Sequence, residues 1–164
     1  TYAVRARFVL LRDLGAALSP TNAFNFIQGL ETLPLRFQKH QDNAEKVADY
    51  LTTKKNVNRV IHPKYQLGIH KERADKYLED GAGPLVGFEL EGGIEAGKAF
   101  IDNLELIYHV ANIGDARTLA IHPASTTHSQ LNTEDQLRAG VTPGYIRLSV
   151  GLSLIHISEP TRPY

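Results

Sequence analysis

The chain has 164 residues, 42% of them apolar, and eighteen Lys and Arg balance eighteen Asp and Glu. Zero net charge leaves no field to draw in phosphate backbones or an anionic membrane surface, which argues against nucleic-acid and membrane partners. Without cysteine there is no disulfide, thiolate nucleophile or zinc ribbon, and the seven histidines are scattered. No apolar run reaches the roughly 18 residues of a membrane span, and no apolar signal segment opens the chain, so a cytoplasmic protein is expected.

In chain order, Phe8, Leu11 and Leu14 fall at helical spacing among Arg5, Arg7 and Arg12, and Gly15 ends the pattern. The arginines of this short helix suit a solvated face or a subunit contact. Ser19-Pro20 starts a second helix, since serine caps free amides and proline suits a first turn. Its stripe of Phe24, Ile27, Leu30 and Leu33 resumes after Pro34 through Phe37, Ala44, Val47, Ala48 and Leu51. An internal proline removes a ladder bond and clashes with the turn before it, so a long helix kinked at Pro34 is predicted.

Beyond it, Val57 to His62 reads as a strand, Lys71 to Leu78 as a helix, Pro84 to Leu90 as a buried strand and Ile94 to Asn103 as a helix. Leu106 to Val110 and Tyr145 to Val150 are further strands, with a polar loop and the short helix Thr133 to Ala139 between them. One sheet of about four strands with helices on one face makes an α/β domain. No methionine occurs at position 1 or elsewhere, and a preceding segment is expected. After Gly151 no period holds. Leu152 to Arg162 looks like the conceptual translation of a sequencing-library adapter, so residues 152–164 are expected to be a non-native tail.

Two stretches carry candidate chemistry. The loop from Asn112 to Gln130 is long, polar and rich in hydroxyls. Its His122 and His128 lie six apart with no carboxylate at ligand spacing, so they suit a pocket wall better than a metal. Arg147 sits on a strand with Ile146 and Leu148 to either side. A permanently charged planar fork there needs a partner, either Asp115 or a ligand carboxylate. Lys54 and Lys55 end a helix and read as solvated, and neither Gly81-Ala82-Gly83 nor Gly92-Gly93 forms a phosphate cradle.

Four blocks in the same order resemble the C-terminal portion of the Cys/Met-metabolism pyridoxal-phosphate enzymes, over residues 1–151. They are Leu10 to Pro20, Gln28-Gly29-Leu30-Glu31-Thr32-Leu33, Asn112-Ile113-Gly114-Asp115 through Leu131, and Ile146-Arg147-Leu148-Ser149-Val150-Gly151. Glu31 and Asn112 look like the O-acetylhomoserine sulfhydrylase branch, where lyases and cystathionine γ-synthases usually carry a basic residue and a serine.

The resemblance implies a fold-type-I enzyme. Residues 1–48 would end the large cofactor-binding domain with its linking helix, and residues 49–151 would form the small C-terminal domain. It implies that Arg147 binds the α-carboxylate of an amino-acid substrate, that Asn112 helps hold it, and that the parent is a homo-oligomer. Pyridoxal 5'-phosphate would be held by upstream sequence, with no catalytic, cofactor-binding or metal-binding residue in this chain, since no Ser-x-Thr-Lys block occurs. The implied reaction takes O-acetyl-L-homoserine and sulfide or methanethiol to homocysteine or methionine and acetate, by a parent of which this chain is an inactive part. Methionine γ-lyase and cystathionine γ-synthase are the enzyme alternatives. A non-catalytic α/β interaction module, with Arg147 paired to an internal acid, is the alternative of another class.

Overall fold

The structure is a computed structural model that describes residues 1–153, so the tail expected from the adapter-like sequence lies, from residue 154 on, outside the described residues. The chain divides into two units, residues 1–35 and the residues from Arg36 onward. In the first, helix α1 (Tyr2–Arg5) runs into a π-helix (Ala6–Asp13), so the basic helix is present but wider-wound than its spacing implied. Helix α2 (Pro20–Glu31) starts as expected, with the Ser19 hydroxyl accepting from the Asn22 amide at 3.2 Å and Pro20 in the first turn. Its apolar stripe is exposed, from Phe24 at 60% to Leu33 at 41%.

The predicted kinked helix is two helices. Thr32 leaves helical geometry and its amide bonds to the Leu30 carbonyl, and α3 (Leu33–Thr52) begins with Pro34 in its first turn. A continuous helix would press the Pro34 ring onto that same Leu30 carbonyl, so the break moves two residues ahead of the proline, where the ring costs least.

From Arg36 on, α3 is followed by β1 (Val57–Ile61), α4 (Ile69–Tyr77), β2 (Leu85–Leu90) and α5 (Gly93–Asp102). Then come β3 (Tyr108–His109), β4 (Leu119–Ile121), α6 (Thr133–Arg138) and β5 (Tyr145–Ser149). The sheet has five strands in the order β1-β2-β5-β4-β3, antiparallel except for the β3/β4 pair. The extra strand is β4, which lies inside the stretch read as polar loop, and the strand expected over Leu106 to Val110 shrinks to two residues.

One face of the sheet is covered, as expected of helices on one side. Val86, Phe88, Ala120, Ile146, Leu148 and Val150 form one core with Ala44, Val47 and Ala48 of α3, and Phe100 and Ile101 of α5 pack against it. Phe100 meets Phe88 edge to face at 5.5 Å. Side chains alternate along a strand, so this core sends the intervening residues to the other face. There one cross-strand row runs Ile61, Gly87, Arg147, Ile121 over β1, β2, β5 and β4. Among the described residues no helix is long and apolar enough to cross a membrane.

Candidate functional site

The open face of β5 holds the candidate site because the other face is committed to the core. Arg147 is half-buried between Ile146 and Leu148, which are 0% and 4% exposed. Its Nη2 donates to the Asn112 carbonyl at 3.4 Å, while its Nε is buried and without a partner. Arg147 and Asn112, the two site residues expected from sequence, are thus brought together, through the Asn112 backbone. The Asn112 side-chain oxygen accepts from the Ile113 amide at 2.9 Å.

The loop carrying Asn112 is fastened to the end of β5 at several points. The Gly114 amide donates to the Ser149 hydroxyl at 3.4 Å, the Gly151 amide to the Thr118 hydroxyl at 3.0 Å, and the Leu152 amide to the Ala116 carbonyl at 2.9 Å. Gly151 passes so close that an added Cβ would lie 2.5 Å from the Ala116 carbonyl oxygen, which accounts for the glycine that closes Arg-Leu-Ser-Val-Gly. From beneath, His40 donates through Nδ1 to the Val150 carbonyl at 2.6 Å and Asn43 donates to the Gly151 carbonyl at 2.9 Å.

Asp115, the internal acid open as a partner for Arg147, is taken by Arg117. The two side chains meet at 3.3 and 3.4 Å, and the Arg117 amide also donates to the carboxylate. The Arg117 side chain, then its amide, hold the Asp115 carboxyl below its usual range. Among the described residues Arg147 makes no ion pair with any carboxylate.

His122 and His128 do not converge. His122 is fully buried; Nε2 donates to the Pro143 carbonyl at 2.7 Å, and in the neutral ring Nδ1 accepts from the Ser125 hydroxyl at 2.8 Å. It is a strut between the end of β4 and the approach to β5. His128 is partly exposed, with Nδ1 2.9 Å from the Thr127 hydroxyl. The described residues hold no group of three or more potential metal ligands.

Over this face lies a cavity of about 340 Å3, lined by Arg59, Ile121, Thr127, His128, Tyr145 and Arg147 among others. Burial raises the Tyr145 phenol above its usual value, opposed by the Arg147 charge, so it stays protonated at neutral pH. Tyr145 and Arg59 were not singled out from sequence. Both occupy alternate positions on their strands, a period-2 signal that marks the face but not the cavity.

Every lysine is exposed, Lys54 lying 3.9 Å from the Tyr50 ring centre and Lys71 paired with Asp75. A lysine that forms a Schiff base is activated in a desolvated pocket or beside another cation. Among the described residues no lysine is placed to form a Schiff base with pyridoxal phosphate.

The family model described as Cys/Met metabolism PLP-dependent enzyme matches residues 2–156. The chain belongs to that family. Over 155 residues it is 52% identical to an O-acetyl-L-homoserine sulfhydrylase of Leptospira meyeri, covering 94% of this chain and 35% of the relative. O-acetyl-L-homoserine sulfhydrylase 1 of Thermus thermophilus is 49% identical, with coverage of 96% and 37%. Among solved structures, a protein of Campylobacter jejuni described as an O-acetylhomoserine (thiol)-lyase superposes with a TM-score of 0.84 at 42% identity. That match covers 93% of this chain and 36% of the other, whose structure contains N'-pyridoxyl-lysine-5'-monophosphate. The chain thus spans little more than a third of the relatives it matches.

Proposed function

We propose that this chain is the substrate-carboxylate-binding part of an O-acetylhomoserine sulfhydrylase. The complete enzyme would convert O-acetyl-L-homoserine and sulfide or methanethiol to homocysteine or methionine and acetate. Residues 1–48 would finish the large domain and its linking helix, and residues 49–151 would be the small domain. The cofactor would sit on residues outside this chain. The observation that carries the reading is Arg147: a half-buried guanidinium with one carbonyl neighbour, a buried Nε without a partner, and no carboxylate among the described residues.

A charge in that state awaits an anion. Asn43 Oδ1 and His62 Nε2 are also buried without partners, but they are neutral dipoles, and leaving one unmade bond costs about 1–3 kcal/mol. Arg147 cannot neutralise itself, so its unmet demand is larger. The α-carboxylate of an amino acid meets it with two parallel hydrogen bonds. Held so, the substrate has its Cα fixed in direction, and this chain's contribution is orientation. Asn112 would set the guanidinium's azimuth through its carbonyl and leave its side-chain amide free to donate.

The exposed apolar side chains of the first unit, Phe24, Phe26 and Ile27 among them, fit a face covered in a homo-oligomer or by the rest of the enzyme.

The test is Arg147→Ala in the complete enzyme. Removing one partner of a buried charged pair costs about 2–5 kcal/mol, so KM for the amino-acid substrate should rise roughly 30-fold or more. Unchanged KM and turnover would refute the carboxylate assignment. Assays with O-acetylhomoserine plus sulfide, against methionine alone, separate the sulfhydrylase from a γ-lyase.

A further inference from the structure

The strand neighbour of Arg147 is a glycine, and the space it leaves is filled from elsewhere. Gly87 stands directly opposite Arg147 in the β2/β5 ladder, and Ile61 directly opposite Gly87 on β1. A Cβ built on Gly87 would lie 2.7 Å from Cε2 and 2.9 Å from the hydroxyl of Tyr145, and 3.2 Å from the Ile61 Cβ. The Tyr145 ring, two residues back along β5, therefore leans diagonally across β2 and occupies the place of the missing side chain. On the other flank Ile121 of β4 stands directly opposite Arg147. The arginine stem thus rises between an aromatic ring and a branched aliphatic chain, which explains how its Nε is buried with no partner while Nη2 reaches Asn112.

We propose that Tyr145, seated over Gly87, is a positioning residue that holds the Arg147 guanidinium upright toward Asn112 and so prepares it for a carboxylate ligand. The proposal rests on the carboxylate reading of Arg147. An arginine side chain has many rotamers to lose on binding, and a wall that removes them beforehand strengthens capture without touching the ligand. The ring does most of this work, since its edge lies nearest over Gly87 and the hydroxyl beside it adds only one atom to that volume.

The test measures binding of L-norvaline, an amino acid with no leaving group at Cγ, to the complete enzyme by titration calorimetry, alongside KM, kcat and the thermal midpoint. Tyr145→Ala should weaken binding and raise KM about threefold to tenfold with kcat nearly unchanged, the scale of one immobilised side chain. Gly87→Ala, whose Cβ must displace the ring, should reproduce that effect in an enzyme that keeps its tyrosine. Tyr145→Phe should restore wild-type binding, and Tyr145→Ala should add nothing in an Arg147→Ala background. Should both Tyr145→Ala and Gly87→Ala fold and bind as wild type while Arg147→Ala does not, the positioning role falls and the carboxylate reading stands. Failure of Tyr145→Phe to restore binding, or an undiminished effect of Tyr145→Ala without Arg147, overturns it equally. If Arg147→Ala itself leaves L-norvaline binding intact, both readings go together.

Discussion

Alternate residues of β5 live under different conditions. On the covered face, Ile146, Leu148 and Val150 are 0%, 4% and 0% exposed and cluster with α3 and α5. His122, at the end of the adjacent strand β4, is buried with a partner for each ring nitrogen. On the open face Arg147 keeps a buried Nε with none, and the Tyr145 ring fills the gap left by a glycine. A satisfied interior polar group serves the fold; an unsatisfied charge on a cavity wall is a cost to the fold that only a ligand repays. The same strand thus builds stability with one set of side chains and, under the proposed function, reserves the other for binding.

The sharpest way to break that contrast is Leu148→Ala. It deletes a nearly buried side chain from the centre of the covered face and should lower unfolding free energy by about 2–5 kcal/mol in a denaturant titration. A loss below about 1 kcal/mol would mean the covered face does not carry the fold. Next in size is Thr118→Val, which keeps the shape and removes the hydroxyl that accepts the Gly151 amide. Thr118 is 6% exposed, so the amide loses its acceptor among the described residues in a dry place, and stability should fall by about 1–3 kcal/mol. Equal stability would show that water replaces the hydroxyl at this fastening.

Much of the fold was legible in the sequence because its elements are long enough to show a period. Val57 to His62, Lys71 to Leu78, Pro84 to Leu90, Ile94 to Asn103 and Tyr145 to Val150 each shift by only a residue or two in the structure. Leu119–Ile121 was not legible: all three residues are buried, so nothing alternates, and they stand among polar neighbours. Of the site, Arg147 stood out because a charge on an apolar strand demands a reason. Its partner could not be chosen from sequence, since Asp115 is compatible with either arginine until the turn places it beside Arg117, two residues on. Tyr145 was out of reach altogether. Its role depends on Gly87, a residue 58 positions earlier that only the ladder register brings underneath it.

The smallest expected effect is the most discriminating. Arg147→Met removes the charge and keeps an apolar stem between Tyr145 and Ile121. Exchanging an interior ionic group for a well-packed apolar one is often neutral or stabilising. The thermal midpoint should therefore stay where it is or rise, with the stability change within about 0.5 kcal/mol of zero if it is a loss. In the same protein KM for the amino-acid substrate should rise as it does for Arg147→Ala. That combination, capture lost and fold unharmed, is opposite to Leu148→Ala one residue away. A loss above about 2 kcal/mol would mean that the guanidinium is bonded into the fold, so that the open face, like the covered one, is built for stability.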